Sequence, residues 1–460
     1  MGAVVTVIVG LGKTGLSCVR YFQRHHPKQP LRVVDSREDC PAAEAFQQAY
    51  PLIPIQCGIL KKVSFKDAKR VILSPGVQQW AEKIREWVGP NVPVTGDLDV
   101  FAEGIAGQGI ITIGVTGSNG KSTVTTLVGE ILKNQGEKVA VGGNLGTPAL
   151  DLLPEPGKPW PRIIVLELSS FQLAITQTLP LTVATLLNLS PDHLDYHGSE
   201  VQYLAAKRRI FQTAGRMVVN RDAANIAGQL PTAIPRISFG LSTPESENDF
   251  GLIKDVSGDT WLCRGIQRLL KAQDLKIAGI HNTANVLAAM ALVAALSENS
   301  ATIDWHPVVE AVCAFKGLNH RCQWVRELSG VQWINDSKGT NVGATEQAIL
   351  GLGSSITGKW ILLAGGDGKG AEFRALLTPL QQHVKAVVLI GKDKQIMEAA
   401  FKDTVDCHLC TTLEEAVLAC HRLTQPGDGV LLSPACASLD MFAHYEERGD
   451  LFMRYVQALS

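Results

Sequence analysis

The run Gly114-Val115-Thr116-Gly117-Ser118-Asn119-Gly120-Lys121-Ser122-Thr123 has the residue types that hold a polyphosphate. Glycines let backbone N–H groups close on phosphate oxygens, and a helix starting at the loop adds partial positive charge. Lys121 can reach the β- and γ-phosphates, and the Ser122 hydroxyl can ligate Mg2+. The strict GxxxxGK[ST] spacing asks for glycine at position 115, where this chain has Val; glycine stands at 114 and 117 instead. A strand, Gly109–Val115, is expected to lead in and a helix, Ser122–Asn134, to leave. In that setting the loop reads as an ATP cradle rather than an ordinary glycine-rich turn.

A second glycine pattern, Gly10-Leu11-Gly12-Lys13-Thr14-Gly15, fits GxGxxG between a predicted strand, Val4–Val9, and a predicted helix, Leu11–Gln23. Asp35 lies 20 residues beyond Gly15, where a dinucleotide site places its ribose-binding acid. Alone, this reads as an NAD-dependent dehydrogenase. Beside an ATP loop it supports only the broader statement that a diphosphate can sit on a helix N-terminus, and a UDP-sugar fits equally well. Ser36 and Arg37 add donors. Tight packing with no ligand is the plain alternative.

Metal partners are sought near the ATP loop. Glu167 lies in the apolar strand Ile163–Leu168, before Ser169-Ser170-Phe171-Gln172, and a carboxylate at a strand end beside phosphates suits Mg2+. Asp192-His193-Leu194-Asp195-Tyr196-His197 follows another apolar strand, Val183–Leu189; taken alone it reads as a polar loop. Cys407 and Cys410 form a CxxC followed by Cys420 and His421. A zinc site takes about four ligands, and the helix expected over Thr412–Ala419 would present them only by accident, so core cysteines are the better reading.

These residues need elements to place them. At about 150 residues per domain, the 460-residue chain suggests roughly three. With 45% hydrophobic residues it can bury several cores, and a net charge of −1 does not suit a nucleic-acid partner. The N-terminal run lacks the basic start and cleavage site of a secretory signal, and no apolar stretch spans a bilayer. Ten scattered cysteines fit a reducing compartment. Strand and helix alternate from the start: Leu31–Asp35 and Arg70–Ser74 in a first block, then Ile163–Leu168, Val183–Leu189 and Met217–Asn220 in a second. Pro154–Pro161 reads as a loop, Ser242–Lys271 as turn-rich with short β runs, and Asn282–Ser297 as an alanine-rich helix. A third block has strands Trp360–Ala364, Ala386–Ile390 and Val430–Ser433. The expectation is α/β in three domains, each built on a largely parallel sheet.

The ATP loop, Leu166-Glu167-Leu168-Ser169-Ser170-Phe171-Gln172, Asn188-Leu189-Ser190-Pro191-Asp192-His193 and His281-Asn282-Thr283-Ala284-Asn285 resemble the Mur ligases, cytoplasmic enzymes that build the peptidoglycan stem peptide. The resemblance runs over essentially the whole chain. Asn335–Asn341, Gly365–Lys369 and Ser433–Asp440 narrow it to the member that takes D-glutamate; the Asp-Asn-Pro-Arg motif of the member adding the diamino acid is absent. It implies a Rossmann-like N-terminal domain over 1–97 binding the UDP precursor, a central P-loop ATPase domain over 98–316, and a Rossmann-like C-terminal domain over 317–460 binding the amino acid. The implied reaction joins D-glutamate to UDP-N-acetylmuramoyl-L-alanine with ATP, and the GxGxxG pattern is thereby reassigned from NAD to that nucleotide.

By the same resemblance, Gly117, Ser118, Asn119, Gly120, Lys121, Ser122 and Thr123 cradle ATP, with Lys121 on the transferring phosphoryl group and Ser122 on a first Mg2+. Glu167, helped by His193, holds a second, with a carbamylated Lys207. Without the family, Lys207 is only a basic position on an exposed helix. Asn282 and Asn285 contact the adenine and phosphate side of ATP, Arg321 clamps phosphate from the third domain, and Asp336 binds ribose, with Lys338 close by. Thr340, Lys369, Ser438, Leu439 and Tyr445, the last commonly Phe in the family, border D-glutamate. Thr14, Asp35, Ser36, Arg37, Ser74 and Gly76 take the UDP-sugar, and Asn144 lies near the acceptor's carboxyl end. A monomer is expected. The rivals are a folylpolyglutamate-synthase-like amide ligase, an NAD-dependent dehydrogenase, and a non-catalytic nucleotide-binding protein.

Overall fold

A computed structural model describes residues 5–460 except 41, 191, 228–229, 232, 278, 298–302 and 354. Val4 of the first predicted strand and Pro191 of the Asn188–His193 motif therefore lie outside the described residues. The described residues form three sheets. The first holds β1 (Val5–Val9), β2 (Leu31–Asp35), β3 (Ile55–Cys57), β4 (Ala68–Leu73) and β5 (Val94–Gly96) in the order β3-β2-β1-β4-β5. All its pairings are parallel. The central strand β1 is buried at every position, as expected where helices cover both faces of a parallel sheet. The order reverses at β1, and the loops after β1 and β4 flank that reversal, where α/β sheets open a crevice.

The second sheet holds β6 (Ile111–Thr116), β7 (Val139–Gly143), β8 (Ile163–Glu167), β9 (Leu181–Leu186), β10 (Ala214–Asn220), β11 (Arg236–Phe239), β12 (Phe250–Lys254), β13 (Thr260–Arg264) and β14 (Gln267–Lys271). Its order is β14-β13-β12-β11-β10-β9-β6-β8-β7. The turn-rich tract 242–271 is β12–β14, which extends the parallel sheet by two antiparallel pairings. The alanine-rich helix Ile280–Ala294 packs on helix Lys121–Asn134, with Val286 to Ala294 almost fully buried.

The third sheet holds β15 (Gln323–Leu328), β16 (Val331–Asn335), β17 (Trp360–Gly365), β18 (Val384–Ile390), β19 (Asp406–Leu409) and β20 (Gly429–Leu432), ordered β15-β16-β20-β17-β18-β19. Only the β15–β16 pairing is antiparallel. Trp333 of β16 and Trp360 of β17 are fully buried, one in the core layer on each face. Cys410 and Cys420 lie in the apolar layer on one face, whereas Cys407 packs against the layer on the other.

Most element boundaries fall within a few residues of the sequence reading, and one shift is informative. The first helix spans Lys13–His25 rather than starting at Leu11, because Gly12 is extended (φ −98, ψ −170) and stands as its N-cap, while the Leu11 N–H before it turns to Asp35 Oδ2 at 2.7 Å.

Candidate functional site

The ATP-type loop leaves β6 and enters helix Lys121–Asn134 through Gly120 at φ +80. A Cβ there would meet Asn285 Oδ1 at 2.3 Å, so both backbone conformation and space require glycine. The loop is held from outside. Asn119 N donates to Asn188 Oδ1 at 2.8 Å, and Asn188 Nδ2 returns a bond to Asn119 O. Ser118 Oγ donates to Ser190 O at 3.0 Å and accepts from Ser190 N.

Two lysines converge on one carbonyl. Lys121 Nζ donates to Gly117 O at 2.8 Å and to Ser118 O at 2.9 Å, and Lys207 Nζ donates to the same Gly117 O at 2.7 Å. The reading of Lys207 as an exposed position is corrected here: it is 1% exposed, on helix Glu200–Arg208, beneath the ring of Tyr203 at 4.6 Å. Burial, and then the Lys121 charge, push its amine well below the usual lysine range. Burial also lowers Lys121, opposed by Glu167. Tyr203, four residues before Lys207, was the sequence signal for a shared inward face, and it closes the cluster with its hydroxyl 3.1 Å from Ser118 Oγ.

Glu167, at the end of β8, is 3% exposed. Its Oε2 accepts from Ser122 Oγ at 2.6 Å and its Oε1 from Asn144 Nδ2 at 2.7 Å. Arg321 of the third domain donates to the same Ser122 Oγ at 2.8 Å. A hydroxyl and a carboxylate oxygen so close, beside a phosphate loop, are the hard donors Mg2+ prefers. Among the described residues no group of three or more His, Cys, Asp or Glu is placed to hold a metal alone. An ion here would complete its shell with phosphate oxygens and water. His193 sits in a left-handed conformation, its ring edge-on to Phe171 at 4.8 Å and Nε2 3.6 Å from Asp192.

A cavity of about 400 Å³ opens over the loop. Asn119, Gly120, Thr123, Asn282 and Asn285 line one side; Arg321, Asp336 and Lys338 of the third domain line the other. Asp336 accepts from Ser433 Oγ at 2.7 Å and Cys322 N at 3.2 Å, and burial lifts its carboxyl to about 6 against those bonds. Lys338, absent from the residues given roles above, sits 3.8 Å over the Tyr445 ring; burial, then Arg321, bring its ammonium down to about 8.

A second cavity, about 620 Å³, lies between the first two domains. Thr14, Asp35, Ser36, Arg37, Ser74, Gly76 and Asn144 line it, joined by Ser169, Phe171 and Gln172. Burial alone would raise Asp35, yet the Arg37 guanidinium and the Leu11 N–H hold it at about 2. It therefore stays ionised, with Arg37 fixed at the rim.

Thr340, Lys369, Ser438 and Leu439 line neither cavity. They lie on the loops after β16, β17 and β20, three adjacent strands. Lys369 is exposed, as is Leu439. Ser438 is buried, and its carbonyl accepts from Met441 N and Phe442 N. Arg448, which no motif flagged, is 1% exposed and ties two of these loops together by donating to Ser337 O and Oγ and to Cys436 O.

Three family models match the chain: Mur ligase MurD-like, N-terminal domain over residues 4–96, Mur ligase middle domain over 115–293, and Mur ligase, glutamate ligase domain over 320–436. The chain is a Mur ligase. This Mur ligase is 45% identical over 455 residues to the UDP-N-acetylmuramoylalanine--D-glutamate ligase of Pseudomonas putida, covering 99% of this chain and 97% of the relative. It is 44% identical to the protein of the same name from Methylobacillus flagellatus, over 98% of this chain and 96% of that one. Its fold matches MurF ligase from Thermotoga maritima in complex with ADP, at TM-score 0.62 and 18% identity over 93% and 95% of the chains. It also matches UDP-N-acetylmuramate-alanine ligase MurC from the same organism, at TM-score 0.60 and 19% identity over 98% and 99%. The expected α/β three-domain architecture and the family are thus in place. As a Mur ligase the enzyme uses ATP, and the dehydrogenase reading of Gly10–Gly15 falls away. Among the described residues no helix is long and apolar enough to cross a membrane.

Proposed function

We propose that this Mur ligase joins D-glutamate to UDP-N-acetylmuramoyl-L-alanine, consuming ATP and releasing ADP and phosphate, as a step in peptidoglycan precursor synthesis. The observation that carries the reading is the unbroken series Asn144–Glu167–Ser122–Arg321, which runs from one cavity to the other. A carboxylate entering from the second cavity meets a γ-phosphate from the first along that line. The shared name of relatives matching nearly the whole chain supports the choice of amino acid and acceptor.

A carboxylate is a poor electrophile, and phosphorylation makes it an acyl phosphate, which the D-glutamate amine attacks to expel phosphate. Charge stays on oxygen throughout, so fixed donors must face it. Lys121 and Arg321 face the transferring phosphoryl group. Gly117 to Thr123 supply backbone and hydroxyl donors, Asn282 and Asn285 border the nucleotide, and Asp336 accepts from ribose. Arg37, Asp35, Ser36, Thr14, Ser74 and Gly76 hold the UDP end, with Asn144 at the acceptor's carboxylate. Thr340, Lys369, Ser438, Leu439 and Tyr445 border D-glutamate. Ser122 would hold one Mg2+, and Glu167, His193 and a carbamylated Lys207 would hold a second, supplying positive charge against the phosphate oxygens. The buried, neutral-leaning amine of Lys207 suits reaction with CO2, the N–C bond forming as the amine loses a proton. Domains 1–97, 98–316 and 317–460 divide these tasks, in a monomer working in the cytoplasm.

The test is ADP release with the muramoyl-alanine nucleotide, ATP, Mg2+ and one amino acid at a time. Release should need every component and D-glutamate. Equal turnover with L-glutamate, or turnover on a folate acceptor, would replace this assignment with another amide ligase of the same fold.

A further inference from the structure

Helix Val342–Leu352 of the third domain begins after Asn341, whose amide is engaged at both ends. Its Oδ1 accepts from Ala344 N at 2.8 Å and caps the helix. Its Nδ2 points the other way and donates to Asp192 Oδ2, in the central domain, at 3.3 Å. Asp192 Oδ1 accepts from His193 N at 2.9 Å, and the Asp192 charge is felt by both Lys121 and Lys207. Two residues beyond Asn341, a Cβ on Gly343 would meet Ser190 Oγ at 2.9 Å. Ser190 is the residue that pins Ser118 in the phosphate loop, and its Oγ also accepts from Asn119 Nδ2 at 3.4 Å. The start of this helix is therefore seated on the residues that hold the phosphate loop, by one cross-domain hydrogen bond and one close backbone approach. Gly343 and Ala344 also line the 400 Å³ cavity.

We propose that Asn341 is a positioning residue that fastens the docked third domain to Asp192, so that the nucleotide cavity is complete only while this bond is made. The inference rests on the functional reading above for the identity of the ligands, and its test separates the two.

Asn341→Asp keeps a good helix cap but sets a carboxylate against Asp192. Asn341→Ser keeps a cap and loses the reach. Both should melt as the wild type does. ADP affinity by calorimetry, and kcat/KM for ATP, should each fall about tenfold or more, the scale of a lost hydrogen bond to a charged acceptor. Affinity for UDP-N-acetylmuramoyl-L-alanine without ATP should stay within twofold, because among the described residues that cavity is lined by those between Gly10 and Gln172. The exchanged pair Asn341→Asp with Asp192→Asn should recover ADP affinity relative to either single change. Wild-type ADP affinity in Asn341→Asp, an equal loss at both cavities, or additive effects in the exchanged pair would overturn the proposal. Failure of wild-type turnover with D-glutamate would strike only the functional reading, since ADP binding does not depend on the amino acid used.

Discussion

The Ser122 hydroxyl lies 2.6 Å from Glu167 Oε2 and gives it its proton. A hydroxyl has one proton to give, so the Arg321 contact at 2.8 Å must be one in which Ser122 accepts. Ser122 thus relays between a central-domain carboxylate and a third-domain guanidinium, and a divalent ion entering this spot competes with both bonds at once.

Glu167→Gln tests that spot. The amide can still accept from Asn144 and donate to Ser122, so the fold should be retained and the melting temperature should move by no more than a few degrees. Phosphate release should fall by about a hundredfold or more, because the charge facing the ion is gone. Near-normal release with a normal Mg2+ requirement would remove Glu167 from the ion's ligands.

Lys207 offers a chemical readout. With labelled bicarbonate, a carbamate carbon signal should appear in the wild type and be absent in Lys207→Ala. Turnover of that variant should fall about a hundredfold or more, and a short carboxylic acid added in trans should restore part of it. Undiminished turnover would show that the buried amine serves only the Gly117 carbonyl.

Asp336 sets a pH dependence. Its carboxyl, raised by burial from 3.8 to about 6, must be ionised to accept strongly from ribose. KM for ATP should therefore fall as pH rises from 5 to 7, and Asp336→Asn should flatten that limb. The stability effect has the opposite direction. Between 3.8 and about 6 the folded group holds a proton that the unfolded one has lost, so its contribution to stability declines as pH rises through that window.

Tyr445 supports Lys338 through its ring face at 3.8 Å. Phe keeps the face, so Tyr445→Phe should leave kcat/KM for D-glutamate within about twofold. Tyr445→Ala should lower it about fivefold or more, the scale of a partly buried cation–π contact. Equal losses in both variants would assign the effect to the hydroxyl instead.

The phosphate loop was legible because its chemistry is written in backbone permission: Gly117, Gly120 and the following Lys-Ser leave few other uses. Asp35 was legible for a similar reason, as an acid at fixed distance from a glycine turn. Lys207 was not, because burial of a lysine depends on what covers its helix: Tyr203, one turn earlier, shows only that the two share a face, and the Gly117 carbonyl that receives the amine lies 90 residues away, where no local pattern reaches. Asn341 escaped for the same reason: a cap looks the same in sequence whether or not its amide reaches another domain. The tract 242–271 showed short β runs among turns, but not that they extend the central sheet, which pairing with β11 decides.

The loops carrying Asp336, Ser438 and Lys369 follow β16, β20 and β17, which are neighbours in one hydrogen-bonded sheet. Ser433 is bonded to Asp336, and Arg448 ties Ser337 to Cys436. The three strand ends thus behave as a single tray. Any movement of the third domain would therefore carry the proposed ribose acceptor and amino-acid loops together, with no loop able to run ahead of another. Adapting this enzyme to a different amino acid would then mean exchanging side chains on the tray, because reshaping one loop would disturb the arrival of all three.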